Sequence, residues 1–397
     1  MSHGKVHFET LAVHGAGMPD FSQIKPVSIP IYQSSEFVFD SADHGAAVMS
    51  GQAPGFVYSR LGNPTCQDFE KRMALLEGTE EGISFASGMA AIVATILTYC
   101  RPGDNILSSA PIYGGTFGLF KDLLPKMNID IIYLPAGDIH NLIPTKANSK
   151  TRLVYLETPA NPTLDVVDIA ETVRAAKQLN LKTVVDNTFA TPCLQRPIEM
   201  GVDIVVHSAT KYICGHGDTI GGVVTAAKAE ADQIRPIAFK NLGGTMAPFT
   251  AWLMSRGLQT LPLRVERHSQ NALKIAQHFE KHPKISRVCY PGLESCPGHQ
   301  VAKKQMRGGF GGVLAVDLKG GREAGKSFQN GLELCKLAVS LGSVDTLVTH
   351  PASTTHLAYS EKDLASVGMT PGFVRIAVGI ENPEDIIADL DQALAKC

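Results

Sequence analysis

Three short runs in this chain of 397 residues bring reactive side chains to places where ligands commonly bind. In Thr183-Val184-Val185-Asp186 a carboxylate directly follows an apolar run, where it can pair with a cationic ring nitrogen. In Ile204-Val205-Val206-His207-Ser208-Ala209-Thr210-Lys211 a second apolar run ends in two hydroxyls and a lysine. The hydroxyls and nearby N–H groups can hold a phosphate. The lysine can form an imine with a carbonyl, which requires an amine able to lose its proton. In Ser84-Phe85-Ala86-Ser87-Gly88-Met89-Ala90 a glycine opens a helical pattern, and a helix N-terminus with free N–H groups attracts anions. Each run also has an ordinary reading: Asp186 as a turn residue, Lys211 as a solvated strand end, Ser87-Gly88 as a plain helix cap.

Taken together, the runs match the division of labour that pyridoxal 5′-phosphate (PLP) requires. That cofactor needs a lysine, an acid at its pyridine nitrogen and a cup for its phosphate. The glycine-rich run Gly215-His216-Gly217-Asp218-Thr219-Ile220-Gly221 lacks the dinucleotide spacing, which argues against a nicotinamide enzyme.

The elements that must position these residues follow from pattern. Asn63 caps and Pro64 opens a helix with Phe69, Met73, Leu75 and Leu76 on its apolar face, and Gly78 ends it. From about residue 80 to 226, strands at Asn105–Ser108, Ile129–Leu134, Leu153–Leu156, Thr183–Val185, Ile204–Val206 and Gly222–Thr225 alternate with helices at Ala90–Cys100, Tyr113–Leu124 and Ile169–Leu179. That alternation predicts an α/β fold with a mainly parallel sheet covered on both faces. In such sheets ligands bind beyond the carboxyl ends of the strands, where the three runs fall. A long helical stretch over 249–280 is interrupted at Leu261-Pro262, and the seam to a second domain is expected near 245–265. Beyond it, strands at Gly312–Asp317 and Val374–Val378 and a helix from Pro383 predict an α+β domain. The expected organisation is an arm over 1–60, a large cofactor-binding domain over 61–255 and a C-terminal domain over 256–397.

Composition excludes several classes. With 44% hydrophobic and 19% charged residues and a net charge of −2, the chain reads as globular, with no basic surplus for nucleic acid or anionic membranes. His3, Lys5, His7 and Glu9 do not make a signal peptide, and Ala90–Tyr99 is too short to span a bilayer. The 8 cysteines form no C-x-x-C pair or zinc pattern, so free thiols in a soluble, cytoplasmic protein are expected, with no metal. His350 and His356 are not at metal spacing; structural hydrogen bonding is expected of them, or a place in the wall of the substrate entrance.

Four motifs carry a family resemblance. They are Tyr58-Ser59-Arg60-Leu61-Gly62-Asn63-Pro64-Thr65, Glu157-Thr158-Pro159-Ala160-Asn161-Pro162-Thr163, the run from Ser208 to Gly217, and Ser340-Leu341-Gly342. In this order they resemble the Cys/Met-metabolism PLP enzymes of the transsulfuration group, over residues 10–394. The resemblance implies PLP fold type I (aspartate aminotransferase-like): a mainly parallel seven-stranded sheet domain plus a smaller C-terminal α+β domain. It also implies a homotetramer of two tight dimers, with active sites shared across each dimer. By the same resemblance, Lys211 is the Schiff-base lysine and proton shuttle, and Asp186 pairs with the pyridinium nitrogen. Tyr113 stacks on the ring and serves as acid and base at the leaving group. Gly88, Met89, Ser208 and Thr210 hold the phosphate, and Tyr58 and Arg60 reach the phosphate of the neighbouring subunit. Asn161 lies near the ring hydroxyl, and Arg375 binds the substrate carboxylate beside Ser340. A non-catalytic regulator on this fold would have lost Lys211, Asp186 or Tyr113; all are present.

Within the family the chain is most similar to the methionine γ-lyase branch, which eliminates methanethiol from methionine and leaves 2-oxobutyrate and ammonia. Members that handle cystathionine tend to place glutamates where this chain has Val339 and Val57, which suit an uncharged thioether tail. Homocysteine and cysteine are expected side substrates. Three residues depart from that branch: Gly115 replaces a usual cysteine, Asn241 a usual aspartate, and Glu36 a small hydroxyl residue. They keep a cystathionine γ-lyase or a γ-replacement enzyme open as the alternative.

Overall fold

The computed structural model describes residues 7–15, 26–355, 357, 360–366 and 368–397. Seven strands form the larger sheet: β1 (Glu81–Phe85), β2 (Asn105–Ala110), β3 (Asp130–Pro135), β4 (Thr151–Glu157), β5 (Lys182–Asp186), β6 (Ile204–His207) and β7 (Gly222–Ala226). Their order is β1-β7-β6-β5-β4-β2-β3. Strands β2 to β6 pair in parallel, and β7 runs antiparallel to both its neighbours. Ile106, Tyr155, Val184 and Val206 pack on one face and Leu107, Val154, Val185 and Val205 on the other, so both faces are buried. This is why these strands read as unbroken apolar runs.

The helix Pro64–Glu77 forms as its ends dictate. The Asn63 side chain accepts from the Thr65 N–H at 2.9 Å, and Gly78 closes the helix in the left-handed region at φ 81°. Two expectations need correction in detail. Strand β1 is an additional edge strand, not recognised because it is short and pairs with β7, far along the chain. The helix expected over Tyr113–Leu124 is broken into a helix at Gly114–Gly118, a wide π turn at Leu119–Leu123 and a tight turn at Leu124–Met127. Two glycines at its start and Pro125 at its end weaken a regular helix there.

The interruption at Pro262 falls between the helices Pro248–Leu258 and Leu261–Phe279, with the proline in the first turn of the second. We propose that the two domains divide near 255, in the last turn of the first of these helices. The second sheet has five strands: β8 (Ile285–Cys289), β9 (Val313–Leu318), β10 (Lys336–Leu337), β11 (Leu347–Thr349) and β12 (Phe373–Ala377), ordered β10-β11-β12-β9-β8. The helices Leu261–Phe279 and Pro383–Ala395 share a core with it through Ile275, Phe279, Val316, Val374, Ile386 and Leu390. Arg375 sits mid-strand in β12, between Ala315 and Thr349.

Of the expected arm, residues 1–6 and 16–25 lie outside the described residues. Phe8–His14 is a helix tied to the large domain: Arg72 donates to the Val13 carbonyl at 3.2 Å, and Arg196 lies over the Phe8 ring. Residues 26–62 run over the surface with one helix, Ala42–Met49, and leave Val27 and Val38 fully exposed. Among the described residues, no helix is long and apolar enough to cross a membrane, and no group of His, Cys, Asp and Glu is arranged to hold a metal.

Candidate active site

Parallel pairing brings Glu157, Asp186 and the residues after β6 to one rim: Glu157 is the partner of Asp186, and Asp186 the partner of Val206. Asp186 is buried. Its Oδ1 accepts the Thr188 N–H at 3.1 Å and the Thr188 hydroxyl at 2.5 Å, and the Tyr155 hydroxyl donates to Oδ2 at 3.4 Å. Burial pushes this carboxyl up, and the Thr188 bonds oppose that rise. The Ser208 N–H donates to Thr188 Oγ1 at 2.8 Å, tying the end of β6 to the end of β5.

Lys211 lies in the turn after β6. Its Nζ donates to Ser340 Oγ at 2.8 Å. Burial, reinforced by the Arg375 guanidinium, brings its ammonium down to about 8. Ser340 stands at φ 94°, in the region L-residues avoid, and Gly342 follows at φ 77°. A Cβ on Gly342 would come within 2.5 Å of the Tyr212 nitrogen, so glycine lets this loop lie directly against the lysine turn. The Ser340 carbonyl accepts from Arg375 at 2.6 Å, and Asn161 Oδ1 accepts from its other terminal nitrogen at 2.9 Å. Among the described residues the buried Arg375 Nε has no partner, and burial brings the guanidinium down to about 10. A buried, incompletely paired cation of this kind is a prepared receptor for a carboxylate.

The helix Gly88–Tyr99 starts at the same rim. Ser87 caps it, accepting from the Ala90 N–H at 3.1 Å. A Cβ on Gly88 would lie 2.8 Å from Ser208 Cβ, so the helix start and the end of β6 are in close contact. Thr210 Oγ1 accepts the Gly221 N–H at 3.0 Å and donates to the Gly221 carbonyl at 3.1 Å. Tyr113 is 44% exposed and reaches this rim from the turn after β2. Its ring folds back over Gly115, where a Cβ would meet Tyr113 Cε1 at 2.5 Å and Met89 Sδ at 3.2 Å.

Lys211, Ser340, Arg375 and Asn161 are thus joined by hydrogen bonds; Asp186 and Ser208 are joined through Thr188; Gly88 lies against Ser208; and Met89 and Tyr113 both border the space over Gly115. Tyr58 and Arg60 stand outside these linkages. Arg60 donates to the Phe239 carbonyl at 2.8 Å and lies over the Tyr58 ring, and Tyr58 pairs with Glu36 in a backbone bridge. Glu36 and Asn241 are exposed, and Val339 is 58% exposed beside Ser340. His350 is buried, with its ring nitrogens 2.8 Å from Ser353 Oγ and from the Pro371 carbonyl, the structural bonding expected of it. His356 lies outside the described residues. Sequence reasoning missed Glu157, Thr188 and Tyr155. A polar residue two positions after Asp186 was the available signal for Thr188.

The model of the Cys/Met metabolism PLP-dependent enzyme family matches residues 9–395. The chain belongs to this family. It is therefore a PLP-dependent enzyme of fold type I. Among its relatives, an L-methionine gamma-lyase of Fusobacterium nucleatum subsp. polymorphum is 45% identical, with 100% of each chain covered. An O-acetyl-L-homoserine sulfhydrylase of Leptospira meyeri is 39% identical, over 97% of this chain and 96% of that one. The crystal structure of metB from Corynebacterium glutamicum superposes with a TM-score of 0.92 at 37% identity, covering 100% of this chain and 99% of the other. The site of this family member fits PLP on its own chemistry. It offers a buried lysine of lowered basicity, a buried carboxyl at a sheet rim, and a helix start where glycine leaves the room a Cβ would fill.

Proposed function

We propose that this enzyme converts L-methionine and water to methanethiol, 2-oxobutyrate and ammonia, with side activity on homocysteine and cysteine. The observation that carries this reading is apolar Val339, exposed beside the Lys211–Ser340–Arg375 cluster. It offers a thioether tail an uncharged neighbour and gives a distal ammonium no counter-charge. Similarity to proteins named L-methionine gamma-lyase supports it.

In this reading Lys211 would carry the cofactor, Asp186 would pair with its ring nitrogen, and Asn161 would serve the ring hydroxyl. Gly88, Met89, Ser208 and Thr210 hold its phosphate. PLP, when bound, supplies an electron sink for negative charge at the substrate α-carbon. Arg375 grips the substrate carboxylate, with Ser340 beside it. Once the substrate amine has displaced it, the freed Lys211 Nζ would take the α-proton, a role its lowered basicity supports, since part of the amine is neutral near pH 7. Tyr113 would stack on the cofactor ring, and its hydroxyl would give a proton to the departing sulfur. The test is to follow methanethiol and 2-oxobutyrate released from methionine by the wild type and by Lys211→Ala. Equal release of both by the wild type and none by the variant is expected; substantial turnover by the variant would overturn the mechanism.

A second reading, cystathionine γ-lyase or γ-replacement, is favoured by Gly115. Without a side chain there, the Tyr113 ring can fold back and leave room for a larger γ-substituent. We further propose a homotetramer of two dimers in which Tyr58 and Arg60 reach the neighbouring subunit's phosphate site. Their exposed arm, with Val27, Val38 and Leu61 uncovered, supports this. A cytoplasmic location is supported by eight unpaired cysteines.

A further inference from the structure

We propose that Glu157 is a positioning residue that holds the tyrosine end and the arginine end of the site in one register. Glu157 closes β4 and is only 4% exposed. Among the described residues no cation pairs with it; its two oxygens are used on two backbone donors in different loops. Oε2 accepts the Tyr113 N–H at 2.7 Å, and Oε1 accepts the Asn161 N–H at 2.8 Å. Its own N–H is fixed by Ser109 Oγ at 3.1 Å.

From Asn161 the linkage continues through its side chain to Arg375 at 2.9 Å, from Arg375 to the Ser340 carbonyl at 2.6 Å, and from Ser340 Oγ to Lys211 at 2.8 Å. One carboxyl group therefore joins the backbone that carries Tyr113 to the residues around Lys211. The placement is unfavourable for a charge. Burial, with Asp186 as the neighbouring strand partner, pushes the Glu157 carboxyl up to about 8. A fold that needed only a well-packed strand end would be served there by an apolar residue. What a carboxyl adds is two acceptors at a fixed separation.

The proposal rests on the roles given above to Tyr113 and Arg375. Glu157→Gln is the direct variant. It keeps the shape but has one acceptor oxygen, and its amide N–H groups face the other backbone donor. Hydrogen exchange of the cofactor-free protein should accelerate at the Tyr113 and Asn161 amides, with β5 and β6 unchanged. With PLP bound, kcat for methionine should fall on the order of 10- to 100-fold, the effect of leaving one buried backbone donor without its acceptor. Affinity for L-norleucine, which keeps the carboxylate and lacks a γ-leaving group, should fall about tenfold. In a Tyr113→Phe background the loss in kcat should be smaller than in the wild type, because the two act through the same hydroxyl. Glu157→Asp retains the carboxyl group but is too short to reach both donors. It should shift the same readouts in the same direction by less, and it serves if the glutamine variant fails to fold. Exchange and norleucine binding do not depend on methionine being the substrate, so failure of that assignment would be seen separately. Unchanged exchange at both amides in either variant overturns the proposal. So does faster exchange with kcat and norleucine affinity intact, which would leave Glu157 a purely structural strut.

Discussion

Replacing Lys211 with Met should stabilise the cofactor-free protein, by an amount that depends on pH. The lysine amine has an ordinary value of 10.5, and burial with the nearby Arg375 guanidinium brings it down to about 8 in the folded chain. Between roughly pH 8 and 10.5 the unfolded chain binds more protons at this group than the folded chain, so stability rises with pH across that window. Below the window the penalty is fully present, and a shift of this size corresponds to ~3 kcal/mol. At a pH of about 9.5 the penalty has fallen to ~1 kcal/mol. Met keeps most of the packing of the lysine stem but loses the 2.8 Å bond to Ser340 Oγ, which is worth about 1 kcal/mol. The variant should therefore be more stable than its parent by about 2 kcal/mol near pH 6.5 and nearly equal to it near pH 9.5. Denaturant unfolding of both apoproteins at the two pH values measures the difference. A Met variant that is less stable by the same amount at both values refutes the reasoning, because the buried amine would then carry no electrostatic penalty.

Three further substitutions probe the site. Asp186→Asn should weaken PLP binding on the order of tenfold or more in a spectroscopic titration, since the amide cannot supply the charge facing the ring nitrogen. Arg375→Lys should raise KM for methionine about 10- to 100-fold with a smaller change in kcat, because an ammonium cannot make the two-pronged carboxylate contact. Gly115→Cys puts a side chain into the space the Tyr113 ring occupies; kcat/KM for cystathionine should drop relative to methionine by about tenfold.

What the sequence revealed was local. Asn63, Pro64 and Gly78 mark the ends of one helix because caps are made by neighbours in the chain. The strands that end at Asp186 and lead to Lys211 stood out because a fully buried parallel strand is an unbroken apolar run followed by polar residues. What escaped depends on partners far away. The pairing of β1 with β7 joins residues more than a hundred positions apart, and five residues of mixed polarity do not announce it. Glu157 looked like part of a motif, but its two acceptors serve backbone N–H groups in separate loops, which no spacing rule encodes. The bond between Lys211 and Ser340 crosses 129 residues, and Ser340 entered only through family resemblance. The fold class was therefore readable from periodicity, whereas the linkage from Arg375 to Lys211 required the two sheets to be seen together.

The most direct test of the central claim is a side-by-side measurement of kcat/KM for methionine and for cystathionine, with 2-oxobutyrate as the common product, on the PLP-loaded enzyme. The apolar side chain of Val339 predicts a clear preference for methionine, with methanethiol released in equal amount. A preference for cystathionine would contradict that reading and turn Gly115 from a tolerated change into the residue that sets specificity.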